Sequence, residues 1–176
     1  MLYRSERARL RETRRRIAAQ LTEAQELPRC LSRIQRDFPE EPYSLEKLEE
    51  KFTSFLSPDL GQAEKLRLLI RAAVELTTQE APRWEFIAAR LLLLQFETDL
   101  QPRLSRLGIG SFYEKLRYLT EEKLYGAYIP EQYSREEIIE AEALLRPERN
   151  HLFTYSGLEL LLQRYVIGSR DGQLLE

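Results

Sequence analysis

The chain has 176 residues, a formal net charge of −2, one cysteine and one histidine. This length suits one ordinary domain with a sizeable core, while the single Cys30 excludes an internal disulfide and, with one histidine, a zinc site of the usual four-ligand kind. Few glycines and prolines, together with apolar residues at helical spacing, indicate an all-α protein. The start of the chain lacks the apolar segment of a signal peptide, so we expect a cytoplasmic location.

Positive charge is concentrated at the start of the chain, since residues 1–36 carry a net +6 and the remainder −8. A helix is predicted over residues 4–26, and its thin apolar stripe predicts weak packing or a missing partner. This stripe consists of Leu10, Ile17, Leu21 and Ala24. The arginines around it could bind nucleic acid or an acidic protein, but a solvated Arg/Glu face is the simpler interpretation. No aromatic residues alternate with Arg4–Arg16 to stack on bases, which further disfavours nucleic acid.

Three more helices are predicted before residue 80. Pro28 suits the first turn of a short helix that ends before Pro39. Ser44 is a natural N-cap for the next helix, and the chain breaks again at residues 58–61. A third helix, over about 62–77, is amphipathic and should dock against the helix that follows it. Its apolar positions are Leu66, Leu69, Ile70, Ala73 and Val74.

The segment WEFIAARLLLLQFETDL, residues 84–100, is apolar on almost every side of a helical wheel. Its unbroken apolar run is too short to cross a bilayer, so it should be a core helix. We therefore predict a multi-helix orthogonal bundle around this buried central helix. Arg90 lies inside it and should pair with an acid, either Glu97 or one on a neighbouring helix, because an unpaired buried charge is costly.

The second half of the chain contains two capping-box patterns, which begin at Ser111 and Ser134. The helix that starts at Ser134 should end at Pro147, and a last helix should run from residue 155 to 166. Its inward residues are predicted to be Leu158, Leu161, Leu162 and Tyr165. Asp171–Gly172 signals a turn, and residues 173–175 resemble the beginning of a short strand with nothing to pair with.

Single residues give little sign of catalysis. His151 lies in a predicted loop, and a general base would need a partner that no pattern indicates. Seven of the nine tyrosines fall between Tyr113 and Tyr165, where packing at helix edges explains them more simply than a redox relay. Gly108 and Gly110 do not belong to a phosphate-binding loop pattern.

Three stretches of the chain form an ordered series. LTTQEAPRWEFIAARLLL at 76–93 contains a Trp–x–x–x–Ala–Ala–Arg–Leu helix. A Leu–x–x–Lys–Phe region at 48–55 precedes the Pro58 break and the EKLRLLIRAAVEL helix. FTYSGLELLLQRYVIGSRDGQLLE at 153–176 contains a Thr–Tyr–x–Gly–Leu–x–x–Leu–x–x–Arg–Tyr run. In order and spacing these stretches resemble the N-terminal part of the large, catalytic subunit of class I ribonucleotide reductase.

The resemblance implies reduction of ribonucleoside diphosphates by a cysteine thiyl radical, generated with a separate metal-containing small subunit. It places the redox and radical cysteines in a barrel beyond this sequence, and Cys30 matches none of the family's cysteine positions. We therefore assign no catalytic, cofactor-binding or metal residue and expect no cofactor in this chain. The expected partners are the remainder of the large subunit, with its catalytic barrel, and through it the radical-generating small subunit. Neither a membrane nor nucleic acid is an expected partner.

The resemblance also implies a division of the chain into three parts. These are an Arg-rich helical segment at 1–40, the all-α N-terminal domain at 41–120 and a helical lead-in to the barrel at 121–176. An apolar edge around residues 155–175, built to face the barrel, should then be exposed. The alternative hypothesis is a stand-alone helical interaction module that uses the basic helix at 4–16 to bind acidic protein or nucleic acid.

Overall fold

The fold was determined as a computed structural model that describes residues 2–169, 172, 174 and 175. These residues form nine α-helices and two 3-10 helices, which confirms the all-α class. In chain order they are α1 (Leu2–Ala19), α2 (Leu27–Asp37), η1 (Glu41–Tyr43), α3 (Leu45–Thr53), α4 (Gln62–Glu75), α5 (Trp84–Arg106), α6 (Phe112–Glu121), α7 (Tyr128–Gln132), α8 (Arg135–Glu142), η2 (Pro147–Leu152) and α9 (Tyr155–Arg164). Among the described residues, no helix is both long enough and apolar enough to span a membrane.

The chain is divided into two compact units. Unit 1 comprises Met1–Phe96 and His151–Leu160, and unit 2 comprises Glu97–Asn150 and Leu161–Glu176. One buried apolar cluster in unit 1 takes side chains from α1 to α5. The division at residues 1–40, 41–120 and 121–176 stays a prediction.

The first helix is well packed, contrary to the weak packing expected from its thin apolar stripe. It lies against α2 and α3, and the side chains of Thr13 and Ile17 are fully buried. The helix ends at Ala19 and not near residue 26, because the chain then turns to place Pro28 at the start of α2. Residues of that turn still contribute to the core, as Leu21 is only 2% exposed.

The apolar circumference of α5 is largely buried within unit 1, as the sequence predicts. Its buried residues there are Trp84, Ile87, Ala88, Ala89, Leu91 and Leu94. Side chains of α4 belong to the same core, although the backbone of α4 lies closest to α3. The helix continues to Arg106, past the predicted end at 100, with Pro102 in its interior. Its role as the centre of an orthogonal bundle stays a prediction.

The end of the chain corrects one expectation. No strand forms among the described residues, but Gly168 and Leu174 make an isolated antiparallel bridge. The residues around this bridge therefore pair with each other, and the N–H of Leu175 also donates to the carbonyl oxygen of Ile167 at 2.8 Å. Gly172 has a φ of +76°, which glycine adopts without strain. Asp171 and Gln173, named in the predicted turn and strand, lie outside the described residues.

Two helices in the second half of the chain differ from their predictions. The helix after Ser134 ends at Glu142, five residues before Pro147, and Ile138 is its only buried residue among those described. In α9 Leu158 is buried as predicted, but Tyr165 is 69% exposed instead of inward. Tyr165 follows the last residue of α9, so it no longer shares the inward face of the helix.

The predicted helix caps are formed. Ser44 Oγ accepts a hydrogen bond from the backbone N–H of Lys47. Ser134 and Glu137 form the complete reciprocal capping box. At the other box Ser111 Oγ accepts from its helix as predicted, but the Glu114 carboxylate accepts from the N–H of Gly110 at 2.7 Å. Local sequence therefore sets where α3, α6 and α8 begin.

Replacing Ser134 with alanine should lower the free energy of unfolding by about 1 kcal/mol, because an N–H at the start of α8 loses its acceptor. Urea unfolding followed by circular dichroism measures the change. The variant Ser134→Asp is the control, since a carboxylate can also accept the bond and should retain most of the stability. Equal losses in both variants would show that the cap does not stabilise α8.

Candidate functional site

All three stretches that resemble ribonucleotide reductase contribute residues to unit 1, the third only through residues 153–160. Two of them form α3, α4 and the first part of α5, whose side chains share one core. The third stretch contains α9, and near the start of this helix Ser156 Oγ donates a hydrogen bond to Glu85 Oε1 of α5 at 2.6 Å. Tyr155 packs against the same core, and Leu158 is buried. The fold therefore joins segments that lie far apart in the sequence.

Trp84 anchors the beginning of α5. Its side chain is 1% exposed, and its indole Nε1–H donates to the carbonyl oxygen of Pro42 at 2.9 Å. The Tyr43 ring lies 6.0 Å from the Trp84 ring, and the Phe38 ring lies 6.0 Å from Tyr43. Such ring separations allow favourable tilted and edge-on contacts. The three rings fix η1 between the end of α2 and the start of α5.

Arg83 lies beside these rings. Its Nη1 is 2.6 Å from Glu40 Oε1, and its Nη2 donates to the carbonyl oxygen of Asp37 at 3.2 Å. The guanidinium carbon also lies 4.7 Å from the centre of the Phe38 ring, close enough for a cation–π interaction. Arg83 thus binds the end of α2 and the loop after it at the same time.

Arg90 pairs with an acid on a neighbouring helix, which was one of the two predicted arrangements. Its Nη1 lies 2.8 Å from Asp37 Oδ2, and its guanidinium carbon lies 4.8 Å from the centre of the Phe38 ring. The Arg90 side chain is only 13% exposed, and its buried Nε has no hydrogen-bond partner among the described residues. The pair therefore links α5 to α2 inside unit 1.

Charge within this cluster keeps Asp37 ionised. Burial by itself would raise the pKa of Asp37, but hydrogen bonds from Arg36 and Arg90 outweigh it, so the pKa lies below its usual value. Arg36 Nε donates to Asp37 Oδ1 at 2.9 Å, which leaves each carboxylate oxygen with one arginine. A carboxylate that is ionised and accepts hydrogen bonds from two arginines is suited to holding two helices together and not to accepting a proton.

The remaining candidates do not form a reactive group with this cluster. Cys30 is half-buried, with Sγ 3.9 Å from the carbonyl oxygen of Arg90. His151 lies exposed in η2. The Tyr155 hydroxyl donates a hydrogen bond to Glu159 at 3.0 Å. The pKa of Tyr155 is raised, mainly by burial and in second place by this hydrogen bond. In the part of the chain that the structure describes, no group of three or more histidine, cysteine or acidic residues could hold a metal ion.

Sequence reasoning missed this arginine–aromatic cluster. Tyr43 lies inside a polar, proline-containing turn, where no helical period indicates a buried face. The available signal was that turn itself, since PEEPY contains a large aromatic residue that a solvent-exposed loop does not need. The cluster orders the framework of unit 1, and it contains no pair of nucleophile and base.

Comparison with known proteins finds relatives of this chain. No protein-family model matches the chain. The chain is 49% identical over all 176 residues to the ribonucleoside-diphosphate reductase subunit alpha of Treponema pallidum. The homologues of this chain are ribonucleotide reductase large subunits. The ribonucleotide reductase alpha subunit of Enterobacteria phage T4 is 28% identical over 141 residues, which cover 77% of this chain.

The match covers only a small part of each ribonucleotide reductase relative. The chain spans 21% of the Treponema pallidum subunit and 17% of the phage subunit. A third relative, from Escherichia coli, is 25% identical over 114 residues, or 61% of this chain and 14% of that subunit. The resemblance inferred from the three stretches is confirmed, and the coverage agrees with an N-terminal region.

Proposed function

We propose that this chain is the N-terminal helical portion of a ribonucleoside-diphosphate reductase large subunit. The observation that carries the proposal is 49% identity along the whole chain to about a fifth of a named alpha subunit. In the intact enzyme the reaction is reduction of ribonucleotides to deoxyribonucleotides. The helical portion supplies architecture to that enzyme and has no reductase activity alone.

The cysteine content supports a non-catalytic role. The radical reduction implied by the family resemblance uses redox cysteines, and two thiols are needed to deliver two electrons as a disulfide. This chain contains one cysteine, and Cys30 is half-buried against the backbone of α5. We therefore propose that the catalytic residues lie in the part of the subunit that the chain does not match, and that this chain binds no cofactor.

Exposed apolar side chains support a partner within the same subunit. Unit 2 leaves several of them in solvent, and Leu144 is 74% exposed. The others among the described residues of unit 2 are Leu107, Tyr128, Tyr133, Ile139, Leu145 and Tyr165. Exposed large apolar side chains in this number suggest a protein interface. The expected apolar edge at 155–175 is present at Leu160 and Tyr165 but not at Leu158 or Leu175, which are buried.

We infer that this surface packs against the remainder of the large subunit, including its catalytic barrel. Contact with the radical-generating small subunit would then be indirect, through that remainder. Such an assembly would work in the cytoplasm, where deoxyribonucleotides are made for DNA synthesis.

The isolated chain should form no deoxyribonucleoside diphosphate when it is mixed with a small subunit, a ribonucleoside diphosphate and a dithiol reductant. The physical reason is that one half-buried thiol cannot supply both electrons. Product analysis by chromatography measures the outcome. Product formed by the chain alone, and lost with Cys30→Ser, would overturn the proposal.

A second arm tests the architectural role directly. The chain is added to the Treponema pallidum alpha subunit from which the matched segment has been deleted. We expect a complex by analytical ultracentrifugation, and we expect Leu144→Glu with Leu145→Glu to weaken it. Glu140→Gln, on exposed surface nearby, is the matched control and should bind like the unmodified chain. A truncated subunit that is folded by circular dichroism yet does not bind the chain would contradict the proposal.

A further inference from the structure

One exposed surface of unit 1 is strongly basic. We call it the arginine surface, and it consists of Arg11, Arg14 and Arg15 of α1 with Arg29, Arg33 and Arg36 of α2. Arg14 Nη1 donates to Ser32 Oγ, which joins the two helices at this surface. Residues 29, 33 and 36 follow a helical repeat opposite the buried residues Leu31 and Ile34, so they point to solvent together.

The opposite flank of α1 shows how its arginines bind an acidic helix. Arg9 Nε lies 3.3 Å from Glu46 Oε1, and Arg16 Nε lies 2.5 Å from Glu49 Oε1, with both acids on α3. Arg16 Nη2 also donates to Glu49 Oε2 at 2.7 Å, so this pair is bidentate. The packing of α1 against α3 therefore uses arginines of one helix and glutamates of another, above a shared apolar core.

The arginine surface has the same chemistry without an acidic helix upon it. Arg29 pairs with Glu26 and Arg36 with Asp37, but the arginine side chains remain 76% and 73% exposed. Arg11, Arg15 and Arg33 are exposed and make no ion pair with the described residues. Among the described residues, the arginine surface therefore retains a net positive charge.

We propose that the arginine surface binds an acidic helix of a partner protein, in the way that α3 binds the other flank of α1. Arginines four residues apart are separated by about 6 Å along a helix, which matches glutamates at the same spacing on a partner. This inference is independent of the proposed reductase role, because it rests on unit 1 alone. Nucleic acid fits less well, because residues 4–19 and 27–37 of the sequence include no aromatic residue that could stack on bases. The chain beyond residue 36 also carries a net charge of −8.

The test measures binding of an alanine-based helical peptide with glutamates at every fourth position, labelled for fluorescence anisotropy. The variant Arg11→Gln, Arg15→Gln, Arg33→Gln removes three exposed charges and should leave the helical circular dichroism spectrum unchanged. Its Kd for the peptide should rise about ten-fold at low salt, as expected for three exposed charge pairs. A lysine-substituted peptide should not bind, and salt should weaken the glutamate peptide.

A second triple variant controls for net charge. Arg67→Gln, Lys123→Gln and Arg164→Gln remove three exposed cations outside the arginine surface, and its Kd should stay within two- to three-fold of the unmodified chain. Equal loss in both triple variants would overturn the proposal, because it would show attraction by overall charge. Tighter binding of a DNA duplex than of the glutamate peptide would also overturn it, in favour of a nucleic-acid surface.

Discussion

Replacing Trp84 with alanine is expected to lower the free energy of unfolding by about 3–5 kcal/mol, the usual cost of removing a large buried aromatic side chain. Trp84 is 1% exposed and packs beside Tyr43. Alanine would leave a cavity where η1 meets α5, and the carbonyl oxygen of Pro42 would lose its indole donor. Urea unfolding followed by circular dichroism measures the loss. Tryptophan fluorescence cannot be used, because Trp84 is the chain's one tryptophan and the substitution removes it.

Two variants separate the contributions in that experiment. Trp84→Phe retains a buried ring and loses the indole N–H, so it should cost less than alanine, about 1–2 kcal/mol. Tyr165→Ala removes an aromatic side chain that is 69% exposed, and it should change stability by less than about 0.5 kcal/mol. A loss below about 1 kcal/mol for Trp84→Ala would mean that α5 is not anchored through this residue.

Replacing Arg90 with methionine should destabilise the chain by about 1–3 kcal/mol. Methionine retains an apolar stem beside Phe38, but Asp37 loses its partner on α5. Breaking a fully buried ion pair usually costs more, and the expected loss is smaller here because Asp37 is one-third exposed to water. Asp37→Asn should cost a similar amount, since it leaves the Arg90 guanidinium without a carboxylate.

A double-mutant cycle distinguishes the ion pair from simple packing. The loss in the variant with both substitutions should be at least about 1 kcal/mol smaller than the sum of the two single losses. Strict additivity would show that Arg90 and Asp37 stabilise the fold independently. Arg117→Met provides a matched control, because its pair with Glu121 is exposed and lies within α6 alone.

Acid should reveal the same interaction. Because the pKa of Asp37 is lowered in the folded chain, the folded state binds fewer protons than the unfolded state in the acidic range. The stabilisation is therefore present above the usual aspartate pKa and is lost as the pH falls below about 4, toward the lowered value. Stability measured across this range should fall less steeply in Arg90→Met than in the unmodified chain.

Local sequence rules predicted the beginnings of several elements well. Ser44, Ser111 and Ser134 cap helices because each side chain satisfies a backbone donor only a few residues away. The apolar circumference of residues 84–100 predicted a buried helix, and most of that circumference is buried in unit 1. Such signals depend on neighbours in the sequence, so they can be read without tertiary contacts.

Contacts between distant segments were harder to predict. The partner of Arg90 lies 53 residues earlier in the chain, and the carbonyl that accepts from Trp84 lies 42 residues earlier. The thin stripe on α1 predicted weak packing, but the glutamates of α3 give this helix polar contacts in addition to its apolar ones. A helical wheel cannot show these contacts, because it describes one helix at a time.

The sequence by itself determined the all-α class, the helix caps and the relationship to ribonucleotide reductase large subunits. It could do so because capping and helical periodicity are local, and because family motifs are read directly from the residues. Only the tertiary structure decided that Asp37, Phe38 and Tyr43 meet Arg83, Trp84 and Arg90 in one cluster. Only it showed that α1 presents one neutralised flank and one exposed basic flank. These features depend on which helices pack together, and that choice is made by the burial of the shared core.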